Sequence, residues 1–325
     1  MMKKKWLSIA LVLCIVLTML PVSAFAADVA SSGTFGTDNA LTWSLYADGT
    51  LEISGTGVMP DFNYSTPAPW KDFSSKLTKV IVSDGVTNVG ESAFSYNSTI
   101  QSVVLSDTVV SVGKSAFSGC SALKTVQFGS GLTELGGLGS WNFAFGSCSS
   151  LERFEVAESN HAFSADNGIL YNAEKTQIIL CPQKMSGSVV IPEGVTAIGA
   201  DAFDNCASIT HVKLPASLTK IDGIGSSWGY AFGDCKSLEK YEVAEGNTAY
   251  AAADGLLYSA DKTQLYACPP RYAGAVDIAE GVTSIGTSVF SQCAGVTAVR
   301  LPSTLTGSLS SYTCLLYTSP SPRDS

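Results

Sequence analysis

The residues of this chain whose types could do chemistry are few, and their spacing does not assemble a reaction centre. There are two histidines, His161 and His211, and neither has a Cys or His partner at metal-ligand spacing. Glu152/Glu155 and Glu239/Glu242 are paired carboxylates of the kind that flank a glycosidic bond. They recur at matching places in two parts of the chain, as solvated strand residues do, and are read that way. Asp166-Asn167-Gly168 and Asp254-Gly255 evoke the start of a calcium loop but lack the further carboxylates such a site needs, so both are read as turns. No HExxH, CxxC, P-loop or GxSxG stretch is present. The expectation is a protein with no intrinsic catalysis, no metal and no cofactor.

What must position these residues is a repeat. Val86, Val109, Leu132, Val195, Leu218, Val282 and Leu305 each open a unit, and 23 residues separate Val86 from Val109 and Val195 from Leu218. A fixed period in the twenties with Leu/Val at set offsets is the signature of a leucine-rich-repeat solenoid. Each coil of a solenoid buries its apolar face only against its neighbours. Within a unit, ITHVKL from Ile209 to Leu214 alternates apolar and polar residues as a half-buried strand does. The same pattern starts at Leu77, Ile100, Leu123, Leu151, Leu238 and Val296. Pro215 and Pro302 lack an N–H and end their strands. Phe203 and its equivalents Phe94, Phe117, Phe145, Phe232 and Phe290 should form an interior phenylalanine ladder. Three residues after each Phe stands Cys206, Cys120, Cys148, Cys235 or Cys293, with Asn97 in the first unit.

The recurring VTxIGxxAFxxCxxLxxVxLP unit resembles the BspA-like leucine-rich-repeat family of bacterial secreted and surface proteins. The resemblance spans essentially the whole chain after the leader. It implies a mainly β, leucine-rich-repeat solenoid of about 23-residue repeats and a secreted or cell-surface binding or adhesion role, with a protein or glycan ligand on a host or neighbouring cell.

Composition sets bounds. The chain has 325 residues, 46% hydrophobic, with a net charge of −9, three of its lysines lying in the leader. An acidic chain without a basic cluster is a poor match for nucleic acid, and the same charge favours solubility. Nine cysteines in a secreted chain suggest a disulfide framework. Five of them are the ladder residues, however, and Cys181 and Cys268 hold matching places before Pro, so they are read as buried, reduced fillers.

In chain order, residues 1–26 read as a secretory signal peptide: Lys3 to Lys5, an apolar run from Trp6 to Leu20, and Ala24-Phe25-Ala26 as cleavage site. Residues 27–75 form the N-terminal cap and loop. Positions 28–40 are small and polar and are expected to fray. Trp43, Leu45, Leu51 and Ile53 should share one face of a hairpin turned at Ala47-Asp48-Gly49. Pro69-Trp70 is expected to pack this cap onto the first coil; the alternative for Trp43 or Trp70 is a sugar platform. Residues 76–313 form the solenoid, whose third and fifth units are 63 and 64 residues long. Each carries a Trp-containing insert (Trp141, Trp228) and a β-hairpin insertion, with turns at 172–176 and 259–263. Residues 314–325 read as the translation of a sequencing adapter and are expected to be disordered, with the gene running on beyond them.

The outward strand side chains make the candidate partner-binding face: Lys79, Arg153, Glu155, His211, Lys213, Lys240, Glu242 and Arg300. Trp141 and Trp228 are candidate aromatic contacts, or packing residues for their inserts. No membrane insertion is expected after the leader. The competing reading is a non-catalytic targeting or spacer region of a larger secreted enzyme. Secreted material is expected to begin at Ala27, which N-terminal peptide mass spectrometry checks.

Overall fold

The computed structural model describes residues 28–140, 142–224 and 231–307. The expected leader, residues 314–325, Trp141 and Trp228 lie outside them. The chain winds into stacked coils, each with one long strand, one short strand and a tight turn between them. Long strands Lys79–Val82, Ser102–Leu105, Thr125–Phe128 and Arg153–Val156 pair parallel and in register. Val80, Val103, Val126 and Phe154 line up inward and are buried. Their odd-numbered or even-numbered neighbours point out because side chains alternate across a strand. Short strands Asn88–Val89, Ser111–Val112 and Glu134–Leu135 form a second ladder on the other side of the coil.

The turn between the ladders carries the Phe. In several turns two residues adopt left-handed φ, namely Ser92 and Tyr96, Ser115 and Gly119, Asp201 and Asn205, and Ser288 and Gln292. Small and Asn/Asp side chains tolerate that region best. The turns bond coil to coil: the Phe94, Phe117 and Phe203 amides donate to the Ala116, Ala144 and Ala231 carbonyls at 2.7–2.8 Å. Inside, Trp70, Phe94, Phe117 and Phe145 stack at ring separations of 5.2, 5.0 and 5.4 Å. Each buried ring contributes about 1.5–3 kcal/mol from burial alone. The seven described cysteines are free and buried. The Cys120, Cys148 and Cys235 thiols donate to the Phe carbonyl of the preceding coil at 3.2–3.3 Å. Burial pushes the Cys120 thiol up to about 12, so it is an inert filler rather than a nucleophile.

The cap hairpin pairs Leu45 with Leu51 and Trp43 with Ile53, and all four are buried. The expectation of a frayed segment before it is wrong. Val29–Phe35 is a strand, antiparallel to Leu41–Tyr46, and forms the edge of a seven-stranded sheet. Its small residues are the reason it can pair. Gly33 lies opposite Trp43, and a Cβ there would sit 2.8 Å from the indole nitrogen. Phe35 anchors the end, edge-on to Trp70 at 5.3 Å. Trp70 closes the cap onto the first coil, its Nε1 donating to the Ala93 carbonyl at 3.0 Å.

The long units differ from expectation in two ways. Each expected hairpin is present, Ile169–Asn172 with Gln177–Leu180 and Leu256–Ser259 with Gln264–Ala267, but a preceding strand, Phe163–Asp166 or Tyr250–Ala253, extends it to a three-stranded meander. The final strand of each then runs parallel to the next short strand, Gln177 opposite Ala197 and Gln264 opposite Ser284. From there the chain makes a further coil, with long strands Ser186–Val190 and Gly274–Asp277. In that coil the Cys181 amide donates to the Ala202 carbonyl at 2.6 Å and the Cys268 amide to Val289 at 3.2 Å. This is the bond that Phe94 makes to Ala116, so cysteine occupies the Phe slot. The ladder of rings is therefore broken at the first insertion and resumes as the Phe203–Phe232 pair, stacked at 5.0 Å.

One asparagine per meander ties it down. The Asn160 amide donates to the Gly129 and Leu132 carbonyls at 2.9 and 3.0 Å, and its oxygen accepts from the Ala162 and Phe163 amides at 2.9 and 2.8 Å. Asn247 repeats the pattern with Pro215, Leu218, Ala249 and Tyr250. Asn160→Ala leaves several of these buried backbone groups unpaired, at roughly 1–3 kcal/mol for each group left unsatisfied. The expected loss is about 3 kcal/mol, read as a lower urea midpoint with an unchanged m value.

Candidate functional site

The long-strand face on which the candidate residues sit is cut into three sheets, of seven, three and two strands. The cuts are made by the meander turns. The Phe154 amide, which would face the next strand, donates to the Gly168 carbonyl at 3.0 Å, and the Tyr241 amide donates to Gly255 at 2.9 Å. Both turn glycines have left-handed φ near +80°. A Cβ would meet that of Arg153 at 2.9 Å or that of Lys240 at 3.0 Å. The Asp-Asn-Gly and Asp-Gly stretches are thus turns that wedge into the ladder beside two candidate site residues.

The cuts decide which candidates meet. Lys79 and Arg153 share the first sheet and occupy one row, three strands apart, hence about 14 Å apart at the usual strand spacing. Arg300 lies in the last sheet. His211, Lys213, Lys240 and Glu242 do come together: His211 is opposite Lys240 and Lys213 opposite Glu242 on adjacent parallel strands. Ser188 and Val190 extend the two rows on the third strand of that sheet, with Val190 exposed.

Most of these charges are already paired. Arg153 bridges Glu155 at 2.7 Å, Lys240 bridges Glu242 at 2.5 Å, and Arg300 bridges Asp277 across strands at 2.6 Å. The first two are the same device in equivalent coils, a cation and a carboxylate two residues apart on the outward side of one strand. The hydrogen bond and charge of Lys240 hold the Glu242 carboxyl below its usual value, with Lys213 and His211 adding to the effect. The His211 Nδ1 lies 2.8 Å from the Thr210 hydroxyl. The recurring pairs Glu152/Glu155 and Glu239/Glu242 thus serve as strand-surface charges, one member of each neutralised by its own strand.

Beside the second wedge lies an open hollow of about 840 Å³, lined by Glu239, Lys240, Asp254, Arg271 and Tyr272 among others. Arg271 and Tyr272, which match Lys184 and Met185 of the first long unit, escaped the sequence reading because they lie in the turn after Cys268-Pro269, outside the strands whose alternation picks out outward residues. Among the described residues no group of three or more His, Cys, Asp and Glu is gathered as for a metal ion. Among them, too, no helix is long and apolar enough to cross a membrane.

Coils with one long parallel strand, an inward Leu/Val/Phe set and a Cys or Asn at the turn define a leucine-rich-repeat solenoid. The BspA type leucine rich repeat region matches in six copies over residues 72–186, 181–253 and 271–314. The chain therefore belongs to the BspA-type leucine-rich-repeat family. It is similar to a leucine-rich repeat protein from Eubacterium ventriosum, at 20% identity over 84% of this chain and 85% of that one, with a TM-score of 0.44. A leucine rich cell surface protein from Faecalibacterium prausnitzii has 20% identity over 86% and 90%, with a TM-score of 0.38. The pneumococcal vaccine antigen PcpA has 18% identity over 85% and 71%, with a TM-score of 0.41. No curated protein matches the chain.

Because the Lys240–Glu242 pair is exposed, it contributes little to stability, roughly 0–1 kcal/mol. What it contributes is present above the ordinary glutamate pKa and fades as pH falls through the lowered one. Lys240→Met is expected to raise the Glu242 pKa in an NMR titration and to leave the melting temperature unchanged.

Proposed function

We propose that this chain is a secreted or cell-surface binding protein, an adhesin or interaction scaffold without catalysis of its own. It presents its long-strand face to a protein or glycan. The observation that carries this reading is the four-residue patch of His211, Lys213, Lys240 and Glu242. Its side chains stand in register on two adjacent strands of a rigid ladder, where a binding residue needs no ordering on contact. Two lysines against one carboxylate give the patch a positive balance on an acidic chain. It therefore suits an acidic protein segment or an acidic glycan. Arg153 with Glu155, Lys79 and Arg300 are flanking contacts in this reading, and Trp141 and Trp228 are aromatic contacts from the inserts. The location rests on the leader-like residues 1–26 and on family membership.

The test is binding of the purified chain to arrays of extracellular-matrix proteins and acidic glycans. The triple substitution H211A/K213A/K240A is expected to weaken capture by at least about tenfold, equivalent to 1.4 kcal/mol, with the melting temperature held. Capture that survives all three changes would place the binding surface elsewhere.

A further inference from the structure

The two coils that carry cysteine in the Phe slot place it against a second cysteine. Cys206 occupies the ladder-cysteine position of the following coil. In regular coils that thiol reaches back to a Phe carbonyl. Here it reaches the carbonyls of Cys181 and Pro182, at 3.9 and 3.7 Å. Cys293 does the same to Cys268 and Pro269, at 3.5 Å each. The backbones are clamped together, since the amides of Cys181 and Cys268 donate to Ala202 and Val289, four residues before Cys206 and Cys293. Both pairs have the same sequence separation, 25 residues, and the same following proline.

The side chains converge as well. The Cys181 thiol lies 3.8 Å from the Pro182 carbonyl and 3.3 Å from the Met185 sulfur, and the Cys268 thiol lies 3.8 Å from the Pro269 carbonyl, so the two thiols of each pair share one proline carbonyl. The neighbouring Cys181 thiol and burial push the Cys206 thiol up, and Cys293 and burial do the same to Cys268. The regular neighbours Cys120 and Cys148 differ. Their thiols donate to two different Phe carbonyls, of Phe94 and Phe117, and share no acceptor. So four of the seven buried cysteines are gathered in pairs about a shared proline carbonyl, in two copies of one arrangement.

We propose that Cys181–Cys206 and Cys268–Cys293 are two disulfide sites, each stapling the coil that lacks its phenylalanine to the coil that follows. The oxidant is a small-molecule or protein disulfide, such as oxidised glutathione or a periplasmic dithiol oxidase. One cysteine thiolate attacks the oxidant's disulfide, forming a mixed disulfide and releasing one thiolate. The second cysteine thiolate attacks the protein sulfur of that mixed disulfide and releases the other. The two protons lost by the cysteines end on the two released thiols, so each bond oxidises one dithiol and reduces one disulfide. Attack requires thiolate and access. Burial denies both in the finished coil, so the bonds form as the chain folds, before the coils close. Cys120, Cys148 and Cys235 stay reduced.

The test is differential alkylation with peptide mapping. The full chain is refolded in oxidised and reduced glutathione, denatured without reductant, labelled with iodoacetamide, reduced, and labelled with a second reagent. Cys120, Cys148 and Cys235 are expected to take the first label. Cys181, Cys206, Cys268 and Cys293 should take only the second, with cross-linked peptides 181–206 and 268–293. C206S/C293S should shift Cys181 and Cys268 to the first label, and it should lower the melting temperature under oxidising conditions but not in reductant. First-label modification of all four cysteines, or cross-links among other pairs, would overturn the assignment.

Discussion

Parallel stacking of coils is the constraint from which the rest follows. A single coil of about 23 residues has an apolar face it cannot bury and two rows of backbone groups it cannot satisfy. Both needs are met by the next coil in the same register. The strand amides pair with strand carbonyls, the turn amide of Phe94 pairs with Ala116, and the Phe94 ring lies on that of Phe117. Whatever interrupts the series must meet the same needs by another route. The cap does so with a strand edge and Trp70 stacked on Phe94. The meanders do so with Asn160 and Asn247, each offering two donors and an acceptor to a place where no coil is waiting.

The parts of the fold legible in the sequence are those that obey this periodicity. Val80, Val103 and Val126, the Phe series and the cap pairing Leu45–Leu51 all follow from spacing, because burial at a fixed offset leaves a repeated residue type. The parts that were not legible break the offset. Val29–Phe35 has only Phe35 as a large anchor, and its pairing rests on Gly33 leaving room for Trp43. The coils hidden in the insertions were missed because their Phe is replaced by Cys181 and Cys268. A trace was available, since Val189-Val-Ile191-Pro192 has the form of Val212-Lys-Leu214-Pro215, and Val189 does lie opposite Val212.

The candidate surface was legible by parity and not by position. Alternation places Lys79, Arg153, His211 and Lys240 outward correctly. It says nothing of where a turn from elsewhere in the chain will enter the ladder. The wedges at Gly168 and Gly255 therefore change the meaning of a uniform strand face. They separate Lys79 and Arg153 from His211 and Lys240, and leave one compact charged patch on the three-stranded sheet. The pairing of Arg153 with Glu155 and Lys240 with Glu242 likewise follows from an i, i+2 spacing that is visible in sequence once the strand is known.

The wedges also have a mechanical meaning. Load applied along the axis of a parallel ladder is carried by every interstrand hydrogen bond between neighbouring coils. At Phe154–Gly168 and Tyr241–Gly255 the strand-to-strand path is replaced by contact with a turn, and tension passes through the meander and the short-strand ladder instead. The molecule is thus segmented like a chain of links.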